Sequence, residues 1–227
     1  MGIHVGAGKR GFTYIAYDND RRTLAIGQGQ MEEVLFFAAG QSSAVISLSA
    51  PASPAPVEET AHSTRPVERL LAERELPFHP APVEDRCPAW ARRGLLLYRR
   101  LQEIGYQAYP AEGDCQWMET PVEAAYQSLA GCTLYAPESL EGRLQRQILL
   151  YEQGLPMNDP FLFFEEITRH RLMHSALPMQ DIHPTAELAA MLCAQTAWLA
   201  VHHPAQVLTL GGPDEDRVVL PLPARRA

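Results

Sequence analysis

The sequence predicts an α/β protein, and three observations predict it. Three short segments rich in aromatic and β-branched residues succeed one another at the start. A near-continuous apolar strand follows, and from Pro88 onward helical and strand patterns alternate. Ile3–Gly6 is a short apolar run. "GFTYIAYD" (Gly11–Asp18) and "RTLAIGQG" (Arg22–Gly29) flank a polar turn at 19–21, so all three segments read as antiparallel strands joined by tight turns. "MEEVLFFAAG" reads as a short helix stopped by Gly40. "SAVISLSAP" (Ser43–Pro51) is apolar through its centre, as expected of a central strand covered on both faces and parallel to a neighbour.

Residues 51–86 change character. Seven prolines fall between positions 51 and 82, and only "VERLLAERE" has helical character. The stretch reads as a proline-rich loop or lid over an active-site edge, within one domain of residues 1–227. A helix then runs from Pro88 to a stop at Gly105, with Trp90, Leu97, Leu101 and Ile104 at helical spacing. "CQWME" is a strand ending at Glu119. "TPVE" then predicts a capping box, with Thr120 as cap, Pro121 first in the helix and Glu123 three residues after the cap. Helices are expected over Leu140–Gly154 and Phe161–Leu172. The alanine-rich "HPTAELAAMLCAQTAWLAVHH" predicts a buried helix packed closely on a sheet. "QVLTLGG" and "RVVLPL" close the chain as two strands around an acidic turn, Asp214–Asp216.

The balance of 19 basic against 27 acidic residues, net −8, argues against broad coating of nucleic acid. No apolar run reaches the ~20 residues of a membrane span, and no signal-peptide layout opens the chain. The four cysteines lie far apart without a C-x-x-C, which suits free thiols in a cytoplasmic protein. "GAGKRG" fails the phosphate-loop pattern because Ile3 and Arg10 stand where glycine and Ser/Thr are required. His170 and His174 have metal-binding spacing but lack the H-E-x-x-H signature, so a solvated helix face is the better reading.

Six stretches, in order, carry a family resemblance: "GIHVGAGKRGF", "VISLSAP", "WMETPVEAAYQSLAG", "LEGRLQRQILLYEQGL", "AAMLCAQTA" and "LTLGGPDEDRVVLP". Together they resemble the predicted ribonuclease-H-like nuclease family catalogued as domain of unknown function 429, over nearly the whole chain except the proline-rich loop. The resemblance implies a five-stranded mixed sheet with flanking helices. It also implies carboxylates converging at strand ends to hold Mg²⁺ or Mn²⁺ for phosphodiester chemistry. The chain departs from that pattern. The first-strand acid position holds His4 and the central-strand acid position holds Ser49. The final-helix acid position holds Ala189, while Glu187, two residues earlier, is turned about 200° away. Glu119 alone remains.

The expectation is therefore a catalytically degenerate relative that acts by binding or assembly and needs no cofactor. If a metal persists, Mg²⁺ or Mn²⁺ would rest on Glu119 and His4. The alternative is a hydrolase of a phosphate ester or nucleic acid, with His4, Ser49 and Glu119 as a rebuilt site. Arg143, Arg146 and Lys9 are candidate phosphate contacts. The structural reading of the two helical arginines is pairing with Glu119 or the acidic turn. Substrate and partner are open, and a homo-oligomer is compatible with the sequence.

Overall fold

The computed structural model describes residues 1–8, 11–56, 64–212 and 215–223. Three strands open the chain as an antiparallel meander: β1 (Gly2–Val5), β2 (Phe12–Tyr17) and β3 (Thr23–Gly29). Helix α1 (Met31–Ala39) leads to β4 (Ala44–Leu48), which lies parallel to β1. The proline-rich stretch contributes α2 (Pro66–Ala72). Then come α3 (Ala89–Glu103), the two-residue β5 (Gln107–Ala108), β6 (Cys115–Glu119) and α4 (Val122–Ala130). The rest is helical, α5 (Leu140–Glu152), α6 (Leu162–Met173) and α7 (Thr185–His202), until the closing strands β7 (Val207–Leu210) and β8 (Val218–Pro221).

The strands form one eight-stranded mixed sheet in the order β3-β2-β1-β4-β6-β8-β7, with β5 also on β6. Five strands were expected in this sheet. The closing β7–β8 hairpin extends it past β6, and β5 pairs with β6 at Gln116 and Trp117, below the single contact of β8 at Glu119. Among the described residues no helix is long and apolar enough to cross a membrane. The four cysteines are all free.

Two apolar layers sandwich the sheet. Ile3, Val5, Ile46 and Leu48 pack with α1 and α3 through Val34, Leu97 and Leu101. The opposite face receives α7, whose Leu188, Ala190 and Ala194 join Ile15, Val218 and Leu220. The alanine spacing of α7 allows a very close approach to the sheet. A Cβ on Gly2 would lie 2.1 Å from both the Ala190 carbonyl oxygen and the Ala194 amide nitrogen. Glycine at position 2 is therefore dictated by helix–strand distance.

The expected capping box at α4 does not form. Pro121 is the N-cap, with no side-chain cap bond. Thr120 faces inward instead: its hydroxyl donates to the Val219 carbonyl at 3.1 Å and accepts from the Ser47 hydroxyl at 2.8 Å. Glu123 pairs with Arg146 rather than reaching back to the cap. A buried sheet hydroxyl pair has outcompeted a local helix motif.

Gly2→Ala is predicted to destabilise the protein by about 1–3 kcal/mol or more, because helix and strand backbones must separate. Gly8→Ala, where an added Cβ meets nothing within 4 Å, is predicted to stay within about 0.5 kcal/mol. Denaturant midpoints compared at constant m-value measure both.

Candidate functional site

The carboxyl ends of β1, β4 and β6 meet at one edge, and their register decides which side chains meet there. Ile3 pairs with Leu48, and Leu48 pairs with Glu119. The next residues, His4 and Ser49, are therefore neighbours, and Ser49 falls level with Thr120 rather than with Glu119. Because strand side chains alternate, His4 and Ser49 lie on the α7 face while Glu119 lies on the α3 face with Leu48. The three residues expected to form one site are thus split by a one-residue offset, although all of them reach a common cleft at the strand ends.

On the α7 side, the Ser49 hydroxyl oxygen accepts the Val5 N–H at 3.0 Å and lies 3.1 Å from His4 Nδ1. A neutral imidazole protonated on Nε2 satisfies both contacts, with the serine hydroxyl donating to Nδ1. Burial, opposed by the weaker attraction of Glu138, holds the His4 pKa below its ordinary value of 6.5. The ring is therefore neutral at physiological pH.

On the α3 side, Glu119 is almost wholly committed to Arg65. The guanidinium forks onto the carboxylate, Nη1 to Oε2 at 2.8 Å and Nη2 to Oε1 at 2.7 Å, while the Ala52 N–H donates to Oε2 at 2.7 Å. Arg65 is 3 % exposed, as is Glu119. Glu68, one turn into α2, accepts from Arg65 Nε at 3.0 Å, from the Arg65 N–H at 3.1 Å and from the Ala81 N–H at 2.7 Å. Asp216 approaches Arg65 Nη1 at 3.5 Å and accepts the Ser53 hydroxyl. Burial works against the guanidinium's charge. Glu119, Glu68 and Asp216 outweigh it, so the Arg65 pKa lies above the usual arginine value.

This network also explains the proline-rich stretch. Its entry (Ala52, Ser53), its helix start (Arg65, Glu68) and its exit (Ala81) are all bonded into one polar knot. A further backbone bond from Ala55 N–H to the Pro82 carbonyl, 3.1 Å, ties the two limbs together. Where described, the stretch is a strap pinned to the sheet edge. Val67 and Leu71 of α2 anchor it in the same core as α7.

A cleft of about 410 Å³ opens beside these groups, lined by His4, Ser49, Glu119, Trp90 and Phe78 among others. That volume suits a small molecule. His4, Ser49 and Glu119 do not fit a magnesium ion. They offer one carboxylate whose oxygens already take an arginine fork and a backbone amide, where Mg²⁺ requires a near-octahedral oxygen shell. Among the described residues no group of three or more His, Cys, Asp or Glu side chains is arranged to hold a metal ion.

The remaining candidates sit elsewhere. Arg143 donates from Nε to the His183 carbonyl at 2.9 Å and from Nη2 to the Ile182 carbonyl at 2.7 Å. Arg146 is buried over the Tyr126 ring and bonds the Tyr135 and Gly142 carbonyls and the Glu123 carboxylate. Neither pairs with Glu119 or the acidic turn. Both tie α5 to neighbouring chain, which leaves Arg146 in particular no open face for a phosphate. Glu187 meets His183 Nδ1 at 2.9 Å, away from Glu119, and Ala189 lines the cleft. Lys9 and the His170 side chain lie outside the described residues, as does Asp214.

Arg65 and Glu68 escaped the sequence reading, and Asp216 figured there only as part of the acidic turn. A faint signal existed for the first two: Pro66 at the first helical position and Glu68 three residues after Arg65 mark a helix start. Nothing local signals that the preceding arginine is buried. Compared with protein-family models, with curated proteins and with solved structures, the chain matches none.

Two predictions come from this geometry. Arg65→Leu leaves buried carboxylates uncompensated and is predicted to cost about 3–5 kcal/mol. The double variant Arg65→Leu/Glu119→Leu is predicted to cost less than the sum of the singles, as a double-mutant cycle would measure. For His4 the folded state binds fewer protons than the unfolded state. Its contribution to stability is therefore full above the unfolded pKa of 6.5 and declines as pH falls below it. His4→Gln is predicted to flatten the stability–pH curve below that point, as urea titrations at a series of pH values would show.

Proposed function

We propose that this chain is a ribonuclease-H-like protein, a relative of the predicted nuclease family catalogued as domain of unknown function 429, that has lost metal-dependent catalysis and acts by binding or assembly. The strand order β3-β2-β1-β4-β6 supports the fold assignment: an antiparallel meander continued by two parallel strands, with candidate residues at their carboxyl ends. Its free, partly buried thiols suit a cytoplasmic setting. The observation that carries the functional reading is the guanidinium of Arg65 on Glu119. The one acid retained at the strand ends has both carboxylate oxygens engaged from within the chain, so two-metal phosphodiester chemistry finds no free carboxylate there. The adjoining cleft is the natural place for a ligand.

A second reading draws on the contact of 3.1 Å between His4 and Ser49. It makes the chain a hydrolase of a phosphate ester or nucleic acid, with Ser49 as nucleophile and neutral His4 as base. Glu119 takes no part in that set, because its oxygens are engaged by Arg65 and Ala52.

Incubation with single- and double-stranded DNA and RNA in Mg²⁺ or Mn²⁺ is predicted to give no cleavage above that of Glu119→Ala. Metal-dependent cleavage abolished in Glu119→Ala contradicts the first reading. Metal-independent turnover of a chromogenic phosphodiester, lost in Ser49→Ala, selects the second.

A further inference from the structure

The sheet ends on one side at β3, and the hydrogen-bond pattern shows which of its backbone groups face outward. The main chain of β1 turns toward β4 at Ile3, whose carbonyl accepts the Ser49 N–H at 3.0 Å. Alternation turns Gly2 and His4 the other way, onto their β2 partners Ile15 and Thr13. Tyr14, between those two, then turns onto Gly27 of β3. Ile26 and Gln28, on either side of Gly27, therefore point their N–H and C=O groups away from the sheet. Among the described residues no other strand or loop pairs with that outer side.

An unpaired edge is a template for another strand, and native edges are commonly blunted by charge, proline, a bulge or short length. β3 runs for seven residues without a charge or a proline. Its one irregularity lies at the Thr23 end, opposite Ala16 and Tyr17. Leu24 is 59 % exposed and Ile26 53 %. β7, at the far edge of the sheet, is only four residues long.

We propose that β3 is a self-association surface, pairing antiparallel with β3 of a second copy about a two-fold axis at Ile26. Three observations favour a second copy. An antiparallel edge is complementary to itself, so one outward-facing strand supplies both halves of the ladder. The chain carries a net charge of −8, so two copies repel over most of their surface, and Thr23–Gln30 is a stretch with no charge to repel. The ends of the strand are oppositely charged. With Ile26 opposite Ile26, Arg22 of one copy falls opposite Gln30 of the other. Glu33 is held at that point, its Oε2 accepting the Gln30 N–H at 2.7 Å. The Arg22 side chain is 79 % exposed and meets Asp20 only at 3.8 Å, so it is available to that carboxylate. Each end of the paired strands thus sets an arginine against a glutamate, while the two isoleucines meet on the α7 face at the centre.

The test is sedimentation velocity on the full-length chain over a dilution series. The wild type is expected to be mainly dimeric at about 100 μM and to dissociate near about 1 μM, as suits an edge-sized interface under ~1,200 Å². Ile26→Lys sets two ammonium groups opposite one another and is expected to raise the dissociation constant at least about tenfold. Circular dichroism checks that this variant folds, and Ile26→Thr, which keeps a β-branched side chain, replaces it if it does not. Register is read by oxidation in a Cys132→Ser background, which removes the exposed native thiol. Ile26→Cys is expected to give a disulfide-linked dimer, because opposed Cα atoms ~5.5 Å apart are within disulfide reach. Gln28→Cys, which faces Leu24 of the second copy, is expected to give none. A wild type that is monomeric at about 100 μM overturns the proposal. So does a dimer that the substitution at position 26 leaves unweakened, or one that cross-links through position 28 and not 26. The proposal is independent of the strand-end cleft: a monomer leaves the reading of that site standing, and nuclease activity there would leave the dimer standing.

Discussion

The bidentate ion pair between Arg65 and Glu119 is the constraint on which this sheet edge depends. An ionised carboxylate at the buried end of a strand is costly unless something supplies opposite charge and fills its lone pairs. In a metal enzyme the ions do that. Here a guanidinium does it, at 2.7 and 2.8 Å, with a backbone amide completing the shell. Delivery of that guanidinium requires a segment that leaves the sheet after β4, turns back over its end and begins a helix there. The described parts of residues 51–86 supply that segment. Their proline content stiffens the strap, and their two limbs meet at Ala55 and Pro82.

The second determinant is the closeness of α7 to the sheet. Gly2, Ala190 and Ala194 let the helix backbone come to van der Waals distance from β1, which sets the height of the α7 layer above His4 and Ser49. Ala189 in turn forms part of the cleft wall. Where an acid on this helix would reach the strand ends, the chain carries a methyl group, and the nearby Glu187 is held by His183. The α7 side of the edge is thus a small-residue surface with a serine–histidine contact. The α3 side is an ion-paired knot.

Much of the fold was legible because periodicity reports burial. The opening meander, the apolar β4, the strand ending at Glu119 and the all-round apolar α7 follow from alternation, apolar runs and alanine content. The site was legible only in part. His4 and Ser49 do meet, since strand order and parallel register alone bring those positions together. Glu119 stands apart from them because facing depends on register to the single residue, and sequence does not fix register between strands far apart in the chain. Thr120 looked like a helix cap because Glu123 follows at the right spacing, yet a buried hydroxyl pair with Ser47 and the Val219 carbonyl held it on the sheet. Asp216 belonged to an acidic turn weighed as a partner for Arg143 and Arg146; neither pairs with it, and it meets Arg65 instead, from a stretch read as a proline-rich loop or lid. A buried ion pair across a separation of 54 residues has no local signature.

The most direct measurement of this account is side-chain NMR of the Arg65 guanidinium in the wild-type chain, with and without excess Mg²⁺. An internal cation locked on Glu119 gives separate, slowly exchanging Nη signals that Mg²⁺ does not disturb and that collapse in Glu119→Gln. A freely rotating guanidinium, or one released when Mg²⁺ is added, would contradict it.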